Sequence, residues 1–74
     1  MKELDTVVLN QDLPSQGLRS GDVGTIVLVH QGGEGYEVEF VALDGETIAV
    51  VSLEQSQVRP VARREIAHAR PVPG

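Results

Sequence analysis

The chain is built around residues 21–30, which read Gly21-Asp22-Val23-Gly24-Thr25-Ile26-Val27-Leu28-Val29-His30. A glycine-bounded turn leads into β-branched and aliphatic residues, a pattern that predicts a strand over residues 23–30. Alternation places Val23, Thr25, Val27 and Val29 on one face and Gly24, Ile26 and Leu28 on the other. Because both faces are apolar, we expect a long, bent strand that serves two sheets of a small barrel. Gly24 would permit the close backbone approach that the bend needs.

Two segments precede this strand. The β-branched run over residues 6–9 predicts the first strand. Residues 10–21 are rich in turn formers and predict a loop, in which Pro14 fixes φ and Gly17 is free to adopt positive φ. Loops of this length in small domains are often functional. We expect Leu13 and Leu18 to hold the loop against the barrel.

A hairpin follows the central strand. Residues 36–40 alternate between apolar and acidic side chains, and Asp44-Gly45 is a strong hairpin signal. A two-residue type I′ loop predicts the pairs Leu43–Glu46, Val41–Ile48, Phe40–Ala49, Val38–Val51 and Tyr36–Leu53. This register places Ala49, Val51 and Leu53 in the core and leaves Val41, Ile48 and Val50 on the opposite face beside Glu37 and Glu39.

The end of the chain predicts a 3₁₀ turn over residues 53–57 and a closing strand over residues 58–60. Together these elements predict an all-β fold, a five-stranded SH3-like barrel over residues 1–60. Residues 61–74 form a basic tail that contains two prolines. We expect this tail to be disordered, or helical only when it is docked, because its helix-forming part is too short to be stable alone.

Composition and charge limit the partners and the cellular locations that we expect. The chain has 74 residues and no cysteine, and its net charge is −5. Residues 1–60 carry ten acidic and three basic side chains, so this acidic body repels phosphate and nucleic acid is not expected as a partner. No apolar run is long enough for a bilayer, and the N-terminus lacks the apolar segment of a signal peptide. We therefore expect no membrane association and a cytoplasmic location.

Residues 21–29 resemble the turn and strand of the KOW motif of ribosomal proteins and transcription elongation factors, and the SH3-like part of nitrile hydratase β-subunits. A longer resemblance covers roughly residues 4–60. The residues that carry it are Leu4-Asp5-Thr6-Val7-Val8-Leu9, Asp12-Leu13-Pro14, Gly17-Leu18, Gly21-Asp22-Val23-Gly24-Thr25, Tyr36-Glu37-Val38-Glu39-Phe40 and Asp44-Gly45. They are similar to a family of small uncharacterised bacterial proteins. That resemblance implies a single SH3-like domain and a role as companion of a larger protein, without implying an activity.

The titratable residues do not form a recognisable catalytic or metal-binding arrangement. The acidic side chains are scattered, and His30 with Glu34 falls short of the three or four ligands of a metal site. We therefore expect no enzyme, no cofactor and no metal. The leading hypothesis is a non-enzymatic protein-interaction module, antitoxin-like or an accessory subunit, whose partner is another protein or a second copy of the chain. The alternative is a KOW-type nucleic-acid-associated module. The predicted partner-binding residues are Asp12, Leu13, Leu18, Val41, Ile48 and Val50.

Overall fold

The computed structural model describes residues 1–73, whose regular structure is almost entirely β. The five strands are β1 (Thr6–Leu9), β2 (Val23–Val29), β3 (Gly35–Val41), β4 (Thr47–Glu54) and β5 (Val58–Pro60). They form one sheet in the order β4-β3-β2-β1-β5, and all neighbours pair antiparallel. The predicted all-β class and the five strands are confirmed. β2 ends at Val29, one residue before its predicted end.

The two edge strands of the sheet are consecutive in the chain. β4 and β5 are joined only by the 3₁₀ helix Gln55–Gln57, which is shorter than the predicted turn because Leu53 and Glu54 belong to β4. Three 3₁₀ residues rise about 6 Å, whereas a flat five-stranded sheet would hold its edges about 19 Å apart. The sheet must therefore curl. Within residues 1–73 no ladder joins β4 to β5, so the predicted closure into a barrel stays a prediction.

A β-bulge in β2 corrects the predicted alternation. Ile26 lies opposite Val38, and Leu28 lies opposite Glu37, so Val27 is an extra residue. Because a bulge sets two residues against one, it reverses the alternation beyond it. Val27 and Leu28 are both exposed, and Val29 turns inward to pack against the core. β2 therefore needs apolar residues at both alternating sets of positions, because one set faces the core before the bulge and the other set faces it after the bulge.

The hairpin between β3 and β4 also differs from its predicted form. The Ala42 N–H donates to Glu46 O at 2.7 Å and the Gly45 N–H donates to Ala42 O at 2.9 Å, which closes a three-residue loop. A type I′ turn needs positive φ at both central residues, but only Gly45 of the loop has it, at 98°. The predicted pairs Tyr36–Leu53, Val38–Val51 and Phe40–Ala49 are confirmed.

The predicted pair Val41–Ile48 is wrong, because Val41 lies opposite Thr47 and Ile48 is the extra residue of a second bulge. Ile48 and its neighbour Ala49 both pack against the core. The predicted position of Ile48 on the opposite face is therefore also wrong.

The core lies on the concave side of the sheet and includes residues from every strand. Its members are Val7, Leu9, Leu18, Ile26, Tyr36, Val38, Phe40, Leu53 and Val58. Leu18 comes from the long loop and is only 3% exposed. It forms an isolated bridge with Leu13, which also packs against the core. The prediction that these two leucines hold the loop against the sheet is confirmed.

Gly24 leaves no room for a side chain between β2 and the core residues of β3. A Cβ built on Gly24 would lie 2.6 Å from Val38 Cγ1, 2.9 Å from Phe40 Cε1 and 3.0 Å from Glu39 O. These neighbours are core side chains and backbone, so they have little room to move. The predicted close approach at Gly24 is confirmed.

We expect Gly24→Ala to lower the free energy of unfolding by about 1–3 kcal/mol, the usual effect of overpacking a filled core. Urea unfolding followed by circular dichroism measures this change. Val27→Ala, on the same strand but exposed, is the matched control and should change stability by about 0.5 kcal/mol or less. Equal stability of the two variants would contradict the close packing.

Candidate protein-interaction surface

The convex face of the sheet carries a group of exposed aliphatic side chains. We call Val27, Leu28, Val41 and Val50 the outer patch; they are 40%, 49%, 45% and 55% exposed. The first two are the bulge residues of β2, and the others come from β3 and β4. Glu37 lies opposite Leu28 and Glu39 lies opposite Val50. One face of three neighbouring strands therefore combines aliphatic surface with two carboxylates.

The two glutamates of this face are held by hydroxyl groups of β4. Thr47 Oγ1 donates to Glu39 Oε2 at 2.9 Å, and Ser52 Oγ donates to Glu37 Oε2 at 2.5 Å. His30 Nε2 also lies 2.5 Å from Glu37 Oε2. The hydrogen bonds from Ser52 and from His30 hold the pKa of Glu37 below its usual value. Glu37 is therefore an oriented, ionised carboxylate at neutral pH.

His30, Glu37 and Ser52 are the residue types of a hydrolytic triad, but their arrangement is different. In a triad the imidazole lies between the hydroxyl and the carboxylate and removes the hydroxyl proton. Here Glu37 lies in the middle and accepts from Ser52 directly. This order orients a carboxylate and does not activate a nucleophile. Sequence reasoning missed the cluster, although the predicted β3–β4 register already places Glu37 opposite Ser52.

Residues 61–73, which we call the strap, are fixed to the rest of the domain at two places. No residue of the strap is helical. Arg59 of β5 holds its first part through a two-pronged ion pair, Nη1 to Glu65 Oε1 at 2.8 Å and Nη2 to Glu65 Oε2 at 2.7 Å. The Ala62 N–H adds a hydrogen bond to Glu65 Oε1 at 2.6 Å.

Asp22, just before β2, holds the second part of the strap. Arg70 Nε donates to Asp22 Oδ1 at 2.9 Å, Arg70 Nη2 contacts Asp22 Oδ2, and Arg70 Nη2 also donates to Gly17 O at 3.2 Å. Burial raises the pKa of Asp22, but hydrogen bonds from Arg70 and from the Arg19 N–H outweigh it, so the net pKa is below the usual value. The strap therefore runs from β5 to the start of β2.

Val8 is a buried residue on the convex side of β1. Val8 is 6% exposed, yet it does not belong to the core cluster. Its lateral neighbours in the sheet are Val23 on one side and Arg59 on the other. Both anchors of the strap are close to this row: Arg59 is itself one anchor, and Asp22, the other, directly precedes Val23. The outer patch, on the β2–β4 part of the convex face, stays exposed.

An open groove of about 780 Å³ separates the strap from the hairpin loop between β3 and β4. Its walls include Val23 and Val41 from the sheet, Ile48 from the second bulge, and Ile66 from the strap. Of the outer patch, Val41 alone lines this groove, whose walls also include the core residues Leu18 and Phe40.

The six predicted partner-binding residues do not form one surface in the structure. Asp12 Oδ1 accepts the Ser20 N–H at 2.9 Å within the long loop. Leu13 and Leu18 serve the core, and Ile48 packs against it. Val41 and Val50 are exposed together on the convex face. Their role in binding stays a prediction for all six. Sequence reasoning missed Val27, Leu28 and the strap.

Two further observations concern sites that the sequence argument considered. Across residues 1–73, no three His, Cys, Asp or Glu side chains converge as metal ligands would. Over the same residues, no helix has the length and apolar character needed to cross a bilayer.

The fold and this surface define a small all-β domain with one partly covered convex face. The chain belongs to a family described as a domain of unknown function, DUF4926, which matches residues 3–60. No curated protein and no solved structure matches the chain. The match contains the whole sheet and the outer patch and ends where the strap begins.

Acid should release the first part of the strap. The side chain of Arg59 and then the Ala62 N–H lower the pKa of Glu65 from 4.5 to about 2. A carboxylate with a depressed pKa stabilises the docked state in full above its unfolded pKa, and this stabilisation is lost as the pH falls through the folded pKa. The loss should therefore occur between pH 4.5 and about 2. Heteronuclear NOE values of strap amides, measured along an acid titration, follow it.

Glu65→Gln is the matched variant for this titration. It should show lower NOE values at neutral pH and should lack this acid transition, while Arg63→Gln, whose side chain makes no ion pair in residues 1–73, should behave as wild type. An unchanged titration in Glu65→Gln would contradict the anchoring role of Glu65.

Proposed function

We propose that this chain is a non-enzymatic protein-interaction module of the bacterial cytoplasm, with an SH3-like fold, and that it binds another protein through its outer patch. The antitoxin-like or accessory-subunit role expected from the sequence fits this proposal. The observation that carries it is the outer patch itself: four half-exposed aliphatic residues, grouped on one face of three neighbouring strands, with two oriented carboxylates among them.

The chain order of the elements supports the SH3-like fold. A long loop separates the first two strands, and a single 3₁₀ turn separates the last two. The sheet order, in which β1 lies between β2 and β5, brings the last strand back beside the first. A small, partly open barrel would need a curl of this kind.

Energetics indicate that the aliphatic residues alone would bind weakly. Burying the exposed half of one Val or Leu side chain is worth about 1 kcal/mol, so the outer patch provides about 4 kcal/mol before the cost of association. That corresponds to a dissociation constant of about 1 mM at best. A specific complex therefore also needs the carboxylates.

The charge of the module favours a basic partner. Residues 1–60 carry ten acidic and three basic side chains. Within residues 1–73, no Lys or Arg side chain pairs with Glu37 or Glu39. Complementary charge accelerates encounter and suppresses wrong partners. The nucleic-acid alternative has less support, because phosphates would meet these same carboxylates.

The double variant Leu28→Lys/Val50→Lys tests the outer patch, because it replaces aliphatic surface by charge that repels a basic partner. We expect wild-type protein to capture one stoichiometric protein from host lysate and the double variant to capture at least about tenfold less. Quantitative mass spectrometry measures the captured amounts.

Leu4→Lys is the matched control, since Leu4 is an exposed aliphatic residue of the N-terminal segment. It should capture as much as wild type, and thermal melts should show that all variants fold. Equal capture by the double variant would exclude the outer patch as the binding surface. If the chain captured only proteins whose recovery is lost after nuclease treatment, the KOW-type alternative would be favoured.

A further inference from the structure

Three side chains of the strap are exposed to solvent. Ile66 is 94% exposed although its neighbour Glu65 is fixed by Arg59. Arg63 and Arg64 are exposed and have no acidic partner within residues 1–73. Arg64 has a φ of 63°, a left-handed conformation that is uncommon for residues other than glycine. A held segment thus displays one aliphatic and two cationic groups to the outside.

The outer patch offers the complementary set on the same side of the sheet. It combines four exposed aliphatic residues with Glu37 and Glu39, which no Lys or Arg of residues 1–73 neutralises. Within residues 1–73, the strap therefore carries unpaired positive charge, and the outer patch lies beside negative charge that no Lys or Arg neutralises.

The strap and the outer patch do not pair with each other within one chain: in residues 1–73 no ion pair joins Arg63 or Arg64 to Glu37 or Glu39. Glu65 fixes the start of the strap beside β5, whereas Glu37 and Glu39 belong to β3. β5 and β3 are separated by β1 and β2 in the sheet, and three strand spacings amount to about 14 Å.

We propose that the chain forms a two-fold symmetric dimer in which the strap of each copy packs on the outer patch of the other. Arg63 and Arg64 pair with Glu37 and Glu39 of the second copy, and Ile66 packs on its aliphatic residues. A two-fold axis produces every such contact twice, so one self-complementary face suffices. This dimer rests on the proposed function, because both use the outer patch.

The molecule is large enough for such an interface. A stable interface buries about 800 Å² on each partner, and the chain has an accessible surface of 5260 Å². Its principal extents are 35 × 29 × 21 Å, so one broad face accommodates the strap and the outer patch side by side. The groove between the strap and the β3–β4 hairpin loop gives Ile66 of the second copy an apolar place to insert.

Sedimentation velocity of the full chain tests the dimer. We expect a concentration-dependent dimer at about 0.05 M salt that weakens at about 0.5 M salt, because exposed ion pairs are screened. Arg63→Glu/Arg64→Glu should raise the dissociation constant at least about tenfold, as should Glu37→Arg/Glu39→Arg. Arg63 and Arg64 make no side-chain contact that the fold needs, so the first variant should fold as wild type.

Mixing the two variants is the decisive step, since each strap then meets an outer patch of opposite charge. The mixture should recover a heterodimer that neither variant forms alone. Lys2→Glu is the control, because Lys2 is exposed and its ion pair with Asp5 lies outside both the strap and the outer patch, and it should dimerise as wild type.

A wild-type chain that stays monomeric up to about 1 mM, or a dimer that both charge reversals leave intact, would overturn the proposal. The failures of the two proposals are distinguishable. A monomer that captures a protein through the outer patch removes the dimer alone, and a dimer without outer-patch capture removes only the external partner.

Discussion

Two β-bulges determine which side chains of this small sheet are buried and which are available for binding. The bulge at Val27 sends two consecutive aliphatic residues to the convex face, and the bulge at Ile48 sends two consecutive residues to the core. Each extra residue also bends its strand and increases the local twist. The curl that brings β4 and β5 together, the content of the core and the outer patch therefore depend on the same two irregularities.

The sequence predicts the strands and much of the register, because alternation over residues 36–40 and the Asp44-Gly45 signal are local properties. It does not predict the bulges. The run from Val23 to Val29 is apolar throughout, so slipping by one residue exchanges one aliphatic side chain for another and leaves no local signal. The loop type was missed for a related reason: Asp44-Gly45 suits either a type I′ turn or a loop in which only Gly45 has positive φ. The strap was missed because one of its anchors, Arg70, pairs with Asp22, which lies 48 residues earlier in the chain.

The strap shows how a small domain can hold a segment without regular structure. A chain this short leaves much of its surface accessible. Two arginine–carboxylate pairs fix the strap, one at β5 and one just before β2. The planar guanidinium suits this task because it holds a carboxylate in a defined orientation. Exposed ion pairs are individually weak and are screened by salt. The strap is thus held by several modest contacts acting together, which acid and salt weaken.

The boundary of the family match separates the two halves of the convex surface. All four residues of the outer patch lie within residues 3–60, whereas Arg63, Arg64 and Ile66 follow them. A chain that ended with the sheet would keep the aliphatic residues and the carboxylates but would have nothing of its own to pair with them, and its outer patch would be open to a basic protein. With the strap present, the strap of another copy of the chain, whose charge is complementary, would compete with such a protein for the outer patch. Since a dimer and a complex with another protein would bury the same side chains, concentration and salt would decide between them. The short segment after the last strand, and not the sheet, would then control when the patch is available.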